Sequence, residues 1–201
     1  MCFNEGIPVQ WLLFLPQLPA TPSSLRVMVW RKMRQIGALG LQNGVWVLPE
    51  REDLWQQLND LQGSIRQQGG EAFVFRAQAH PPEAEALIRE RFCADRDEEY
   101  QEFLGRCQDF LAEIAKETRQ EKFTFAEMEE IEEDLQKMEH WLNKIRARDF
   151  FGATQAEPAS RALEACQQAF ATFVSQVYRR QGLEPPAVSS SQSFDTGDAA
   201  P

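Results

Sequence analysis

The chain has 201 residues, 43% of them hydrophobic and 26% charged, enough to bury a sizeable core as one domain or two small ones. Its 31 acidic and 21 basic residues give a formal net charge of -10, which argues against broad nucleic-acid binding but leaves room for a local basic surface. The longest apolar run, Trp11–Leu15, is a strand's length, and no basic leader or small-residue cleavage site accompanies it. A cytoplasmic protein that does not enter the membrane is therefore expected.

In chain order, residues 1–10 read as an N-terminal extension. Trp11-Leu-Leu-Phe-Leu15 is continuously apolar, as a strand buried on both faces would be. After Pro19 and Pro22, Ser23 or Ser24 can cap a helix running to about Ile36. Leu39-Gly-Leu41 and Val45-Trp-Val-Leu48 flank Gln42-Asn43-Gly44, and Asn-Gly between two apolar runs predicts a hairpin, because both turn residues need positive φ. A two-residue turn there sets Leu41 opposite Trp46 and Leu39 opposite Leu48 on one face, with Gln42, Val45 and Val47 on the other. Arg51 to Gln68 carries Leu54, Leu58, Leu61 and Ile65 at helical spacing and stops at Gly69-Gly70; Glu71 to Ala77 supplies the last strand.

The order βαββαβ predicts an α+β fold whose residues 11–80 form a ferredoxin-like sandwich with two helices on one sheet face. The other face is also apolar, so a second subunit or the later helices should cover it. From Pro82 to about Gln181 the pattern is helical. Tyr100, Phe103, Cys107, Phe110 and Ile114 step by three and four, as do Met128, Ile131, Leu135, Met138, Leu142 and Ile145, then Leu163, Cys166, Phe170, Phe173 and Val177. Thr124 and Glu127 read as a capping box for the second of these helices. Residues 81–181 are thus expected to form an antiparallel three-helix bundle, and residues 182–201, with Pro-Pro and a serine run, a disordered tail.

Residues 1–80 carry a net +1 and residues 81–201 a net -11, so any surface that meets an anion is expected in the first part. No GxSxG, P-loop, dinucleotide fingerprint or HExxH occurs, and a non-enzymatic protein without catalytic residues is expected. Cys2, Cys93, Cys107 and Cys166 show no CxxC, and His80 and His140 stand far apart; no metal and no cofactor is expected. Glu129, Glu130, Glu132 and Glu133 flank an apolar seam, and Lys137 stands three residues before His140 where a carboxylate-metal bundle needs Glu, which marks a solvated acidic face.

Two basic groups remain. Arg26, Trp30, Arg31, Lys32 and Arg34 lie on the first helix, with Arg31 and Arg34 about 60° apart and Arg26 placed to stack on Trp30 at i, i+4. They read either as a DNA- or anion-contacting surface or as solubilising charge. Lys144, Arg146 and Arg148 end the long second bundle helix, where cations suit the helix dipole. Arg146 and Arg148 lead into Asp149-Phe150-Phe151, which suggests an Arg–Asp pair locking the bundle to the sheet domain, or an anion site.

Pro22-Ser-Ser-Leu-Arg-Val-Met-Val-Trp-Arg-Lys32, Gly37-Ala-Leu39, Asn43-Gly-Val-Trp-Val-Leu-Pro49, Glu121-Lys-Phe-Thr-Phe125 and Lys144-Ile-Arg-Ala-Arg-Asp-Phe-Phe-Gly152 resemble the N-terminal domain of the ChrB family of chromate-resistance proteins. The similarity runs from about Trp11 to Tyr178. The resemblance implies a transcriptional regulator of a chromate-efflux operon that responds to chromate. Longer members carry a further C-terminal domain, where this chain has its expected tail. The implied partners are promoter DNA, a separately encoded partner domain, and chromate or a similar oxyanion. Such an anion suits Arg26, Arg31, Arg146 and Arg148 if the bundle end folds back on the first helix. A homodimer, formed through the sheet domain or the bundle seam, is expected as well. The rival expectation is a scaffold or protein-interaction module that binds no DNA. A nuclease on this scaffold would need a carboxylate at the end of the first strand, and Phe14-Leu15-Pro16-Gln17 has none.

Overall fold

The computed structural model describes residues 9–21, 23–42 and 44–185. Expectations for residues 1–8, for Pro22 and Asn43, and for the tail from residue 186 lie outside the described residues. The elements are β1 (Trp11–Gln17), α1 (Ser23–Gln35), β2 (Leu39–Gln42), β3 (Val45–Pro49), α2 (Glu52–Gln67), β4 (Glu71–Ala77), α3 (Pro82–Arg119), α4 (Phe125–Arg146) and α5 (Ala156–Arg180). This is an α+β chain: a four-stranded antiparallel sheet with two helices, followed by three long packed helices.

The strands lie in the order β2-β3-β1-β4, every neighbouring pair antiparallel. Hydrophobic spacing explains the helix layer. Leu25, Val29 and Met33 of α1 fall on one stripe, as do Leu54, Leu58, Leu61 and Ile65 of α2. Both stripes bury against Leu12, Phe14, Leu48 and Ala72 of the sheet.

The hairpin corrects the expected register. Gln42 pairs with Val45 as a two-residue turn requires, but a bulge between Gly40 and Gln42 shifts the rest of the ladder. Leu39 therefore faces Val47, not Leu48, and Gly40 faces Trp46. The bulge begins at Gly40, a residue with no side chain to pack across the ladder, where a strand pairs most weakly. The shift sends Trp46 and Leu48 to the helix layer and Leu39 with Val47 to the opposite face.

That opposite face is covered by residues of α3 and of the turn after α4. Trp11, Leu39 and Val47 are buried with Phe92 of α3, and Ile88, Phe150 and Phe151 pack around them. Trp11 and Phe92 stack at 5.9 Å between centroids, and Phe151 meets both rings. Arg91 adds a hydrogen bond of 2.8 Å to the Gly40 carbonyl, tying α3 to the edge strand β2. The cover stops short of β4, where Phe73 and Phe75 stay exposed.

Contacts gather into two compact units, Met1–Glu102 with Trp141–Ala159, and Phe103–His140 with Ser160–Pro201. The second unit is helical. Its core takes Phe103, Cys107, Phe110 and Ile114 of α3, Ile131, Leu135 and Met138 of α4, and Leu163, Cys166, Phe173 and Val177 of α5. Arg106 meets Asp134, while Lys122, past the end of α3, meets Glu127, so α3 and α4 run in opposite directions there. Thr124 caps α4 by accepting the Glu127 N–H at 3.2 Å. Among the described residues no helix is long and apolar enough to cross a membrane.

Candidate functional site

Burial of Leu25, Val29 and Met33 forces Arg26, Val27, Trp30, Arg31 and Arg34 of α1 outward. Trp30 is 55% exposed, unusual for so large an apolar ring. The cations on this helix have different partners. Arg26 donates through Nη1 to the carbonyls of Pro19 and Ala20, at 3.2 and 2.7 Å, so it secures the loop after β1. It does not stack on Trp30, whereas Arg51, Arg76, Arg89 and Arg180 do lie over aromatic rings. Lys32 donates to Gln57 Oε1 of α2 at 3.1 Å. Arg34 lies 3.5 Å from Asp95, and among the described residues no carboxylate pairs with Arg26, Arg31 or Lys32. Between α1 and α2 runs an open groove of about 610 Å³, lined by Val27, Met28 and Leu61, with Arg31 and Lys32 on one wall and Asp60 on the other.

The second basic group sits where α4 ends. Arg148 Nε donates to the Lys144 carbonyl at 3.0 Å, satisfying an end-of-helix acceptor. Its Nη1 reaches the Arg34 carbonyl at 3.4 Å, so this segment does fold back on the end of α1. The expected pairing of an arginine with Asp149 is not what Arg148 makes: its Nη2 donates to Glu99 Oε2 at 2.7 Å. Asp149 instead accepts from the Tyr100 hydroxyl at 3.2 Å and from the Gly152 and Ala153 N–H groups at 2.9 and 3.0 Å. Adjacent residues on a tight turn point apart, which sends the two charges to different partners. Burial pushes the Tyr100 phenol pKa up, the Asp149 charge and hydrogen bond reinforce this, and Arg146 and Arg96 oppose it.

Beside this turn lies a residue that the sequence did not single out. Arg96 is 4% exposed, and its Nη2 lies 3.1 Å from the other oxygen of Glu99. Its Nε and Nη1 meet no hydrogen-bond acceptor. Burial pulls its pKa down; Glu99 opposes this, Arg148 adds to it, and Asp95 and Arg34 act in the same opposed senses more weakly. The structure thus brings Arg34, Arg96 and Arg148 together with Asp95 and Glu99, and leaves Arg26 tied at the far end of α1. The available signal was spacing. Extending the stripe of Tyr100 and Phe103 back by fours gives Arg96 and Phe92, a charge on an otherwise apolar face. Among the described residues no group of three or more His, Cys, Asp and Glu could hold a metal ion.

Sheet, helix layer and basic outer helix define an α+β protein that exposes Arg26, Arg31 and Arg34 along α1. Comparison with known proteins gives its kinship. A family model described as "Protein ChrB, N-terminal" matches residues 26–183, and the chain belongs to that family, which is associated with chromate resistance. It is similar to Protein ChrB of Cupriavidus metallidurans, 32% identical over 94 residues that cover 47% of this chain and 28% of that protein.

Proposed function

We propose that the chain is a chromate-resistance regulator that contacts promoter DNA through the outer face of α1 and responds to chromate or a similar oxyanion. One observation carries the reading: Arg31 projects from α1 with no carboxylate partner, beside an exposed Trp30. A guanidinium in that state is free to replace a counterion on DNA phosphate, and an indole beside it adds an apolar contact with sugar or base. Arg26 and Lys32, held by carbonyl and amide oxygens, keep their positive charge available on the same helix. The net -11 of residues 81–201 would repel a duplex, so DNA should meet this helix only. The strand order fits a ferredoxin-like sandwich presenting one helix outward, acting in the cytoplasm as a homodimer or with a separately encoded domain.

The test is a gel-shift titration with promoter DNA at two salt concentrations. Arg31→Glu touches no structural partner, so the fold should persist while affinity falls at least about tenfold and the salt dependence weakens by about one phosphate contact. An unchanged shift removes α1 from the reading. A second reading has its own support: Val27 and Trp30 stay exposed on α1, and Val27 and Met28 line the α1–α2 groove, more apolar surface than phosphate contact needs. It makes this face the dock for a partner protein. Salt-insensitive capture of that partner with no DNA affinity would favour it.

A further inference from the structure

Three guanidinium groups converge from separate parts of the sequence, Arg34 from the end of α1, Arg96 from α3 and Arg148 from the turn after α4. They face two carboxylates, Asp95 and Glu99. Asp149 does not serve as a third, because Tyr100 and two backbone N–H groups occupy it. Like charges gathered around a buried one repel one another unless a counter-charge joins them. The buried member is also the incompletely bonded one: two of the Arg96 nitrogens have no acceptor, and a buried donor left unmatched is costly.

We propose that Arg34, Arg96 and Arg148 form a binding site for a compact oxyanion of the sulfate type, which enters by displacing Asp95 and Glu99. This rests on the effector half of the reading above and assigns it a place. The entrance is weakly held. Arg34 and Asp95 stand 3.5 Å apart with side chains 47% and 34% exposed, and the Arg148 bond to the Arg34 carbonyl is long at 3.4 Å. Glu99 bridges Arg96 and Arg148 with one oxygen each, so an incoming anion that takes both arginines does what Glu99 does now. Because Arg148 and Arg34 also hold the end of α1, occupancy alters the tether of the helix proposed to meet DNA.

The probe is inorganic sulfate, titrated into the full chain at constant ionic strength against chloride, with thermal unfolding as readout and no DNA present. A saturable rise in Tm is expected. Glu99→Gln removes the competitor and should lower the half-saturating sulfate concentration by about tenfold or more. Arg34→Gln, a change at a half-exposed position, should raise it by about tenfold. Sulfate that acts no differently from chloride overturns the site, as does a half-saturation point that Glu99→Gln leaves in place. A sulfate response in a chain that fails to shift promoter DNA supports the site and ends the regulator reading alone.

Discussion

Gly37 ends α1 with φ +78°, and the Gly37 and Ala38 N–H groups return to the Arg34 and Met33 carbonyls at 3.1 and 2.9 Å. A side chain here meets two penalties, the left-handed backbone and a Cβ only 2.9 Å from the Arg148 Cβ. Gly37→Ala should therefore destabilise the fold by about 1–3 kcal/mol, read from urea unfolding, and loosen the Arg148 tether with it. Tyr100→Phe removes one hydrogen bond from Asp149 but leaves its two backbone donors. A loss of about 1 kcal/mol is expected in the same measurement. The helix end at about Ile36 was legible in sequence; the partner that makes Gly37 intolerant of a methyl group was not, because Arg148 lies 111 residues further along the chain.

Helices were the most legible elements, since an apolar stripe every three to four residues needs only local sequence to be read. The α4 cap at Thr124 follows from that reading, and Thr124→Ala should cost about 1 kcal/mol in urea unfolding. Glu117 near the end of α3 was not anticipated. It is buried and paired with Lys122 at 3.0 Å and Lys116 at 3.3 Å, and the Lys122 hydrogen bond leads in holding its carboxyl pKa below the ordinary value. A depressed carboxylate pKa contributes stability above its unfolded value, about 4.3, and loses it as pH falls through the folded one. Glu117→Gln should thus flatten the fall in urea midpoint between about pH 5 and pH 2, and an equally steep fall would refute the assignment. The thiols of α3 and α5 are quieter. The Cys166 thiol donates to the Cys107 carbonyl at 3.7 Å, and the Cys107 thiol, hydrogen-bonded to the Cys166 side chain and buried, has its pKa raised, which disfavours a thiolate at Cys107. The hairpin shows the opposite limit: its turn was readable in Asn43-Gly44, yet the bulge between Gly40 and Gln42 was not.

For the molecule, the second sheet face matters most. Phe92 stacks on Trp11 and touches Phe150 and Phe151, so Phe92→Ala should cost about 3–5 kcal/mol, whereas half-exposed Phe75 should be far less sensitive to the same change. Near-equal losses in urea unfolding would mean that the aromatic cover is not what holds this face. Sequence by itself determined the element order, the two amphipathic helices over the sheet, the three later helices and the division of charge, because each is written in short-range periodicity and composition. It also showed that the second sheet face needed a cover. Only tertiary structure decided that Phe92, Phe150 and Phe151 provide it, and that Arg148 turns to Glu99 while Arg34 and Arg96 gather beside it. Those outcomes come from side chains distant in sequence sharing one buried volume and one set of charges, and no local pattern encodes which of several arginines will be brought there.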